Sequence, residues 1–254
     1  MHHDFNSAIL NEVAHRPWRL PERPWVMTQT WNDLLFAHWA IDAHELRSKI
    51  PAPFELDLFE GRAWLGIVPF HMTNVAPRGV PSLPGISEFP ELNVRTYVTV
   101  ADKPGVYFFS LDAANALAVR TARWLLNLPY FFASMTVTRE SGVIHYESRR
   151  PDDERRAEFM ATYEPSGAPF HPAKGTLEYF LTERYCLYHL DRRGAPYRLE
   201  IHHPPWPLQP ARLQMVRNTM AEVHGFRLLC DEPQLHFARR QDMVAWLPAR
   251  LDRS

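Results

Sequence analysis

The sequence predicts a mainly β fold of the α+β class, and three observations support this prediction. Twenty-three prolines interrupt the 254-residue chain at short intervals, and proline is excluded from helix interiors and from central strands. Between the prolines lie many short segments rich in β-branched and aromatic residues, which favour strands. Helical periodicity is confined to three short stretches. We therefore expect one mixed, mostly antiparallel β domain with about three short helices.

Strand-like segments follow one another along the whole chain. Seven of them come first, at 25–31, 63–70, 92–100, 105–113, 130–138, 142–149 and 156–163. Four more follow, at 184–190, 197–203, 210–219 and 234–246. Because branched and aromatic side chains pack well on a pleated surface, each segment is predicted to be a strand.

Three segments have the periodicity and the end signals of helices. The first covers 40–50 and has Asp42 in position to be its N-cap. The second, 115–128, begins at Asn115 and is followed by a proline, and the third covers 175–184. Asp and Asn favour N-cap positions because their side-chain oxygens accept hydrogen bonds from the free N–H groups of the first turn.

The balance of charges argues against two classes of partner. The chain carries 28 Lys and Arg against 29 Asp and Glu, which gives a formal net charge of −1. Proteins that bind nucleic acid or an acidic membrane surface carry an excess of basic residues, which is missing here. No apolar run approaches the roughly 18 residues that a membrane span needs. We therefore expect neither nucleic acid nor a membrane as a partner.

The cysteines and the two ends of the chain predict its location and domain organisation. Cys186 and Cys230 do not make a disulfide framework, which is typical of a reduced, cytoplasmic protein. Residues 1–16 carry charges and histidines instead of a core pattern, so we expect a disordered or loosely packed segment. No repeat or linker divides the remainder, and residues 17–250 are predicted to form a single domain.

Thirteen histidines raise the question of a metal site. Their spacing argues against one, because the adjacent His202 and His203 would point to opposite faces of a strand. The common metal-binding patterns H-x-H, H-E-x-x-H and C-x-x-C are missing. The ten glycines are scattered and make no phosphate-binding loop. We expect neither a metal nor another cofactor.

The most informative strand lies around residues 91–98. Side chains alternate between the two faces of a strand, so Leu92 and Val94 share an apolar face that is expected in the core. The opposite face carries an acid, an amide, a guanidinium and a phenol, from Glu91, Asn93, Arg95 and Tyr97. This polar face is either the ordinary solvated side of a sheet or the lining of a barrel interior, and the sequence leaves both interpretations open.

Inside a barrel, Glu91 and Arg95 would have to compensate each other, because an unpaired buried charge costs several kcal/mol. An arginine held in this way can bind a carboxylate or orient a carbonyl through two parallel contacts. Its neighbour would have a shifted pKa, which suits proton transfer. We predict Glu91 and Arg95 as catalytic residues, with Asn93 and Tyr97 as ligand-binding residues.

Five other side chains are candidates for the same cavity. Tyr130 opens the fifth strand-like segment and is predicted to be catalytic, with Phe132 on the same face. Trp64 and His203 are predicted to contact the ligand, although a buried aromatic is more often a plain core residue. Arg123 lies on the second helix, where it either extends to solvent or contributes to the cavity.

Five stretches of the chain, taken in order, resemble the YqjF-like family of bacterial proteins, also called domain of unknown function 2071. They are LRSKIPAPFELDLFEGRAWLGIVPFHM (46–72), FPELNVRTYV (89–98), GVYFFSLDAANALAVRTARWLLNLPYFFASM (105–135), GTLEYFLTERYCLY (175–188) and IHHPPWPLQ (201–209). That family is grouped with the acetoacetate decarboxylase-like superfamily. The resemblance covers about residues 17–247 and implies an antiparallel β-barrel or cone with a closed central cavity.

The resemblance also implies a chemical difference from the superfamily's decarboxylases. Those enzymes form a Schiff base through a lysine of depressed pKa. The similar place in this chain follows Pro129 and holds Tyr130 and Phe131, whereas Glu91 resembles the superfamily's cavity glutamate. The acid is therefore expected to be present and the amine to be missing.

No other lysine is a natural replacement. The chain has three lysines, Lys49, Lys103 and Lys174, which lie at a helix end, in a turn and in a loop. None of them lies in an apolar strand that would desolvate the amine, so we expect no covalent amine catalysis.

Three functions remain open on these grounds. The first is an enzyme of the lyase or isomerase type that applies non-covalent acid/base chemistry to an oxo or aromatic carboxylic compound. The second is a non-catalytic binding protein for a hydrophobic or quinone-like small molecule. The third is a structural protein whose cavity is vestigial. Superfamily relatives tend to assemble, so a homo-oligomer is expected by analogy.

Overall fold

The computed structural model describes residues 5–83, 87–151, 154, 156–228 and 232–251. Four helices lie in this part of the chain: α1 (Phe5–Asn11), α2 (Ala43–Lys49), α3 (Ala116–Leu126) and α4 (Leu177–Thr182). The strands are β1 (Met27–Ile41), β2 (Glu55–Leu56), β3 (Ala63–Pro77), β4 (Phe89–Val100), β5 (Lys103–Ala113), β6 (Tyr130–Phe132), β7 (Ser134–Glu140), β8 (Val143–Arg149), β9 (Glu158–Pro165), β10 (Cys186–Leu190), β11 (Pro196–His202), β12 (Gln209–Asn218), β13 (Gln234–Ala245) and β14 (Ala249–Arg250). The prediction of a mainly β protein is confirmed.

Seven strands close into a ring in the order β11-β10-β5-β4-β3-β1-β13. The ring closes where β11 pairs with β13, through Ile201 opposite Ala245 and His202 opposite Val244. Neighbouring strands of the ring run antiparallel, except β5 and β10, which run parallel. A closed ring gives every one of its strands an inner and an outer face.

The sheet continues past β13 through β12, β9, β8 and β7, and these four strands form an outer layer. Outer-facing residues of the ring, such as Leu65, Leu92 and Val94, share one hydrophobic core with Tyr146 and Phe159 of the outer layer. This core has the alternation predicted for Leu92 and Val94. The outer face of the ring is therefore packed against the outer layer, and the side chains on the inner face of the ring are not part of this core.

The helix signals in the sequence are matched by caps in the structure. The Asp42 carboxylate accepts a hydrogen bond from the backbone N–H of Glu45 at 2.8 Å, and the Asn115 side chain accepts from two N–H groups at the start of α3. Helix α4, which corresponds to the third predicted helix, begins after Thr176, whose hydroxyl accepts a hydrogen bond from the N–H of Tyr179. Of the helices in the described part of the chain, none is long and apolar enough to cross a membrane.

One strand is twice as long as its sequence pattern suggested. The segment 25–31 was predicted as a strand, but β1 continues to Ile41. The register shifts where Asp33 adopts a positive φ of 46°, and the strand then resumes with both faces buried. A strand buried on both faces shows no alternation of polar and apolar residues. The second half of β1 is therefore a continuous apolar run, which periodicity does not identify as a strand.

The expectation of a disordered or loosely packed segment before residue 17 does not describe the part that the structure shows. Helix α1 packs against β13, and Ile9 is buried. The buried ring of His202 donates a hydrogen bond to the carbonyl oxygen of Ile9 at 2.7 Å. The guanidinium of Arg16 donates to the carbonyl oxygen of Ile201 at 2.7 Å. Buried polar contacts hold this segment, and such contacts leave no hydrophobic pattern in a sequence. A single domain over 17–250 stays a prediction.

A buried ion pair joins the outer layer to the ring. Arg150 follows β8 and donates two hydrogen bonds to the carboxylate of Asp112 on β5, at 2.8 and 2.6 Å. Both side chains are at least nine-tenths buried, and the guanidinium lies 3.9 Å from the centre of the Phe131 ring. Two parallel contacts of this kind are the strongest form of an arginine–carboxylate pair.

We predict that Arg150→Met lowers the free energy of unfolding by about 3–5 kcal/mol, because it leaves the buried charge of Asp112 without this partner. The neighbouring variant Arg149→Met is the matched control, since Arg149 is exposed and its loss should change stability by less than about 0.5 kcal/mol. Urea denaturation measures both. Equal effects of the two substitutions would contradict a stabilising role for the pair.

Candidate functional site

The interior of the ring contains a cavity of about 110 Å³. All seven ring strands contribute to its wall, with Trp31 from β1, Phe70 from β3, Asn93 from β4, Phe108 from β5, Leu187 from β10, Ile201 from β11 and Met243 from β13. A void of this size accepts a small organic molecule and is far below the pocket volumes typical of drug-sized ligands. The lining is mainly apolar with a few polar groups, which is the usual composition of a ligand site.

The polar face of β4 points into this cavity. Glu91, Asn93 and Arg95 line it, and the alternate residues Leu92 and Val94 belong to the core on the other side of the sheet. Glu91 and Asn93 are 3% and 5% exposed. The solvated interpretation of this face is therefore wrong. Strand alternation is sufficient to place the three groups together, because β4 pairs on both sides and cannot rotate.

Glu91 is a titratable group of the cavity wall with a strongly shifted pKa. Burial raises the pKa of Glu91 to about 8, the hydroxyl of Tyr130 partly opposes this rise, and the charge of Asp112 adds to it. Burial and the nearby acid also raise the pKa of Tyr130 well above its ordinary value. In the described part of the chain the Oε2 atom of Glu91 has no hydrogen-bond partner. Near neutral pH this carboxyl is mostly protonated and able to exchange a proton.

Arg95 lies further along the same face and does not pair with Glu91. The prediction that Glu91 and Arg95 compensate each other is wrong, because four residues of a strand span roughly 13 Å and keep the two side chains apart. The Arg95 guanidinium instead donates to the carbonyl oxygen of Leu181 at 3.1 Å and lies 5.2 Å from the centre of the Phe36 ring. No carboxylate among the described residues is within ion-pair distance of it, and its Nε atom has no partner. The cation is therefore free to bind an anion.

Tyr97 and Trp64, predicted as ligand-binding residues, lie beyond Arg95 and do not line the cavity. Both belong to a separate apolar cluster. The Tyr97 hydroxyl is hydrogen-bonded to His38 Nε2 at 2.6 Å and lies 2.7 Å from the carbonyl oxygen of Leu181. The predicted face was correct for Tyr97, but α4 covers this end of the ring and separates the phenol from the cavity. The Tyr97 hydroxyl also lies 3.5 Å from Arg95 Nη2, so Tyr97 packs against the side of Arg95 that faces away from the cavity.

The close packing around Arg95 depends on Gly66. A Cβ atom at this position would lie 2.8 Å from His38 Nε2 and 3.3 Å from Arg95 Cγ. Such distances are shorter than van der Waals contact, so any side chain here would displace the imidazole. Gly66 faces Arg95 across β3 and β4 and His38 across β3 and β1. It allows the two large side chains to share one layer of the ring interior.

Two predicted residues lie on the outside. Phe132 is 45% exposed and Arg123 is exposed, with its guanidinium 5.7 Å from the Phe131 ring. Strand alternation predicted Phe132 beside Tyr130, but β6 has three residues and ends at Phe132, where the chain leaves the ring. Of the two interpretations of Arg123, the one in which it extends to solvent is the one that the structure shows.

His203 lines the cavity as predicted, but as part of the wall. Its Nδ1 and Nε2 atoms face the carbonyl oxygens of Pro204 and Arg184 at 2.7 and 3.3 Å. Burial lowers the pKa of His203 to about 4, so the ring is neutral at physiological pH. The neutral ring carries one N–H, which can donate to one of these carbonyl oxygens, and the side-chain Nε2 of Gln241 lies 3.2 Å from Nδ1.

Sequence reasoning missed most of the lining, and the aromatic and charged residues among those missed include Trp31, Arg184 and Trp206. Trp206 stacks on Trp31 with ring centroids 5.7 Å apart and planes 12° apart, and the buried indole Nε1 of Trp206 has no partner among the described residues. Arg184 also lines the cavity, but its charge is neutralised by an ion pair in which Nη1 lies 2.6 Å from Oδ2 of Asp57. The rigid proline-rich corner at 201–207 was the available signal, since a tryptophan there must occupy a pocket.

The three lysines lie away from the cavity. Lys49 and Lys174 are exposed. Lys103 begins β5, where a turn was predicted, and its buried ammonium pairs with Glu200 at 2.6 Å on the outside of the ring. No lysine is among the described residues that line the cavity. In the same part of the chain, no three His, Cys, Asp or Glu side chains are gathered as metal ligands would be.

Solved structures with similar folds include decarboxylases. Acetoacetate decarboxylase from Legionella pneumophila has a TM-score of 0.62 and 15% identity, with coverage of 96% of this chain and 95% of that one. MppR, an enduracididine biosynthesis enzyme complexed with pyruvate, has a TM-score of 0.62 and 13% identity, with coverage of 93% of both chains. At such low identity the likeness shows the fold, and it confirms the predicted acetoacetate decarboxylase-like architecture.

Sequence similarity identifies a narrower group. Residues 28–242 match domain of unknown function 2071, a family described as an uncharacterised conserved protein. The protein YqjF of Bacillus subtilis (strain 168) is 47% identical over 227 residues, which cover 89% of this chain and 93% of YqjF. All five motifs quoted from the sequence lie within residues 28–242, and the chain belongs to the YqjF-like family of domain of unknown function 2071.

Proposed function

We propose that this protein is an enzyme of the lyase or isomerase type that acts on a small oxo or aromatic carboxylic acid by non-covalent acid/base chemistry. The observation that carries the proposal is the arrangement on β4. A carboxyl group with a pKa of about 8 and an arginine that pairs with no carboxylate of the described residues face the same cavity from one strand. Shifted carboxyl pKa values in a cavity are typical of proton-transfer sites.

Each group has a distinct role in this proposal. Arg95 binds the substrate carboxylate, and Asn93 lies between it and Glu91 with a buried Oδ1 atom that has no hydrogen-bond partner among the described residues. A substrate held at Arg95 extends past Asn93 towards Glu91, which exchanges a proton with it. Tyr130 donates a hydrogen bond to the oxygen that becomes negative in the transition state. Catalysis then needs no amine and no metal.

The simplest reaction of this type is enolisation. The carboxylate form of Glu91 removes a proton from the carbon next to the substrate carbonyl, and that C–H electron pair forms the carbon–carbon double bond. The carbonyl π electrons move to oxygen, where the Tyr130 hydroxyl stabilises the developing charge. Return of the proton from the carboxyl of Glu91 to carbon completes the exchange. Loss of water from a β-hydroxy oxo acid would proceed from such an enolate, and loss of CO₂ from a β-oxo acid would instead generate the enolate, with the electron pair of the broken C–C bond forming its double bond.

The comparison with MppR supports a small oxo acid as the substrate class, because that protein, which has a similar fold, was found with pyruvate. The positions of the lysines support the non-covalent route, since Lys49 and Lys174 are exposed and Lys103 is paired with Glu200. A cytoplasmic location and a homo-oligomeric state stay predictions.

A second candidate function is non-catalytic binding of a hydrophobic or quinone-like molecule. The mainly apolar lining and the stacked pair Trp31 and Trp206 favour it, because flat aromatic walls bind planar apolar ligands without any chemistry. Under this alternative the carboxyl of Glu91 would be a neutral hydrogen-bond donor.

Glu91→Gln separates the two functions. We expect the wild-type protein to exchange the C3 protons of 2-oxobutyrate with D₂O, and the variant to lose this exchange by about 10²–10⁴-fold while still binding the acid. Proton NMR measures the exchange, and tryptophan fluorescence measures binding. Glu147→Gln is the matched control, since Glu147 is exposed on β8. Binding without exchange in the wild type, for 2-oxobutyrate and for phenylpyruvate, would favour the binding protein.

The pKa of Glu91 has a consequence for stability. Its folded value of about 8 lies above the ordinary value of 4.5, so between these two pH values the folded state holds a proton that the unfolded state releases. Wild-type stability should therefore fall as pH rises through this window, by up to about 1.4 kcal/mol per pH unit relative to Glu91→Gln. Urea denaturation of both proteins at pH 5, 6, 7 and 8 measures the difference. Parallel pH profiles would contradict the raised pKa.

Borohydride trapping tests the non-covalent route. We expect no increase in the intact mass of the protein after incubation with acetoacetate or 2-oxobutyrate and reduction, because no described lysine faces the cavity. An acetoacetate decarboxylase treated in parallel shows whether the trapping works. A stable adduct mapped to Lys49, Lys103 or Lys174 would overturn the proposed mechanism.

A further inference from the structure

A second concave region lies on the outside of the ring, away from the cavity. It is an open cleft of about 770 Å³ between the chain segment after Arg16 and the outer faces of β5 and β11. Its walls include Trp18, Arg19, Arg23, Lys103, Arg198 and Glu200. No step of the proposed reaction uses this cleft.

Three cations converge on one carboxylate at its floor. Lys103 Nζ and Arg198 Nε lie 2.6 and 2.8 Å from Glu200 Oε1, and Arg16 Nη2 lies 3.4 Å from Glu200 Oε2. One carboxylate neutralises one of the three positive charges. Two positive charges are left over around this carboxylate, and of the three cations Lys103 and Arg198 line the cleft whereas Arg16 is outside its lining.

Burial makes this excess costly. Arg16, Lys103 and Glu200 are each at most 8% exposed, and charges removed from water need a partner of opposite sign. Burial lowers the pKa of Arg16, and Glu200 is the one carboxylate that opposes this effect. The alkyl chain and ammonium of Lys103 are also shielded by Trp18, whose ring centre lies 5.3 Å from Nζ.

The rim of the cleft does not remove the imbalance. Arg19 and Arg23 are exposed there and add two cations, whereas Glu22 adds one carboxylate. The exposed Asp102 precedes Lys103 in the chain and is outside the described lining. A structural ion pair that anchors the N-terminal segment would need one cation for Glu200, and this cluster has three.

We propose that this cleft binds a small dianion, such as a phosphate ester or a dicarboxylate, through Lys103 and Arg198. Phosphates and dicarboxylates share the chemistry that the site selects, which is two negative charges a few ångströms apart with oxygens free to accept several N–H groups. Arg198 retains about a third of its side-chain exposure and is therefore accessible from the cleft. Arg19 and Arg23 attract the anion towards the floor.

Isothermal titration calorimetry at constant ionic strength tests the proposal with pyrophosphate and with malonate as separate probes. We expect one saturable site for at least one of them, and the tighter probe shows whether phosphate or carboxylate is preferred. Arg198→Gln should weaken binding at least fivefold. The control Arg212→Gln removes the same charge from a side chain that is 77% exposed on β12, and it should leave the dissociation constant unchanged.

Several outcomes would overturn the proposal. These are no saturable binding of either probe, or equal dissociation constants for Arg198→Gln, Arg212→Gln and the wild type. If circular dichroism shows that Arg198→Gln is unfolded, Arg19→Gln at the exposed rim replaces it and should weaken binding about twofold. Glu91→Gln must bind the probes as the wild type does. A loss of binding there would place the anion in the ring cavity instead, and this result is independent of whether the cavity is catalytic.

Discussion

The pairing of β11 with β13 is the contact on which the site depends. Two residue pairs, Ile201 with Ala245 and His202 with Val244, turn a long open sheet into a ring. Without them β4 would have one face against the outer layer and the other in water. Closure removes that second face from bulk solvent, and the desolvation of Glu91 that raises its pKa follows from it.

Strand geometry then sets the distance between the two ends of the cavity. Glu91 and Arg95 are on the same face of one strand, so their backbones are separated by roughly 13 Å and cannot approach each other. Pairing with β3 and β5 holds β4 on both sides, although the register with β5 shifts once, between Val94 and Arg95. The proposed anion site at Arg95 and the proposed proton-transfer site at Glu91 are thus kept apart by the backbone itself, which is a more rigid spacer than a loop or a helix end.

Alternation along β4 was sufficient to place Glu91, Asn93 and Arg95 on one face, but it showed neither that this face lines a cavity nor that Tyr97 lies outside that cavity. Short-range side-chain to backbone contacts were sufficient to predict the caps at Asp42 and Asn115. Contacts between distant segments were beyond the sequence. The pairing of Arg16 with Glu200 joins residues far apart in the chain, and the short strand that ends at Phe132 exposes a side chain that its pattern placed inside. Both depend on where the chain turns, which a periodicity does not encode.

The stacked tryptophans of the cavity wall give the protein an optical property. The indoles of Trp31 and Trp206 are 5.7 Å apart and nearly parallel, so their excited states are coupled and sensitive to whatever enters the space beside them. Trp31 donates its N–H to Gln29 at 2.9 Å, whereas the buried indole N–H of Trp206 has no partner among the described residues. The fluorescence of the two indoles should therefore respond differently to polar and to apolar ligands. The protein thus contains an intrinsic spectroscopic probe of the ring cavity.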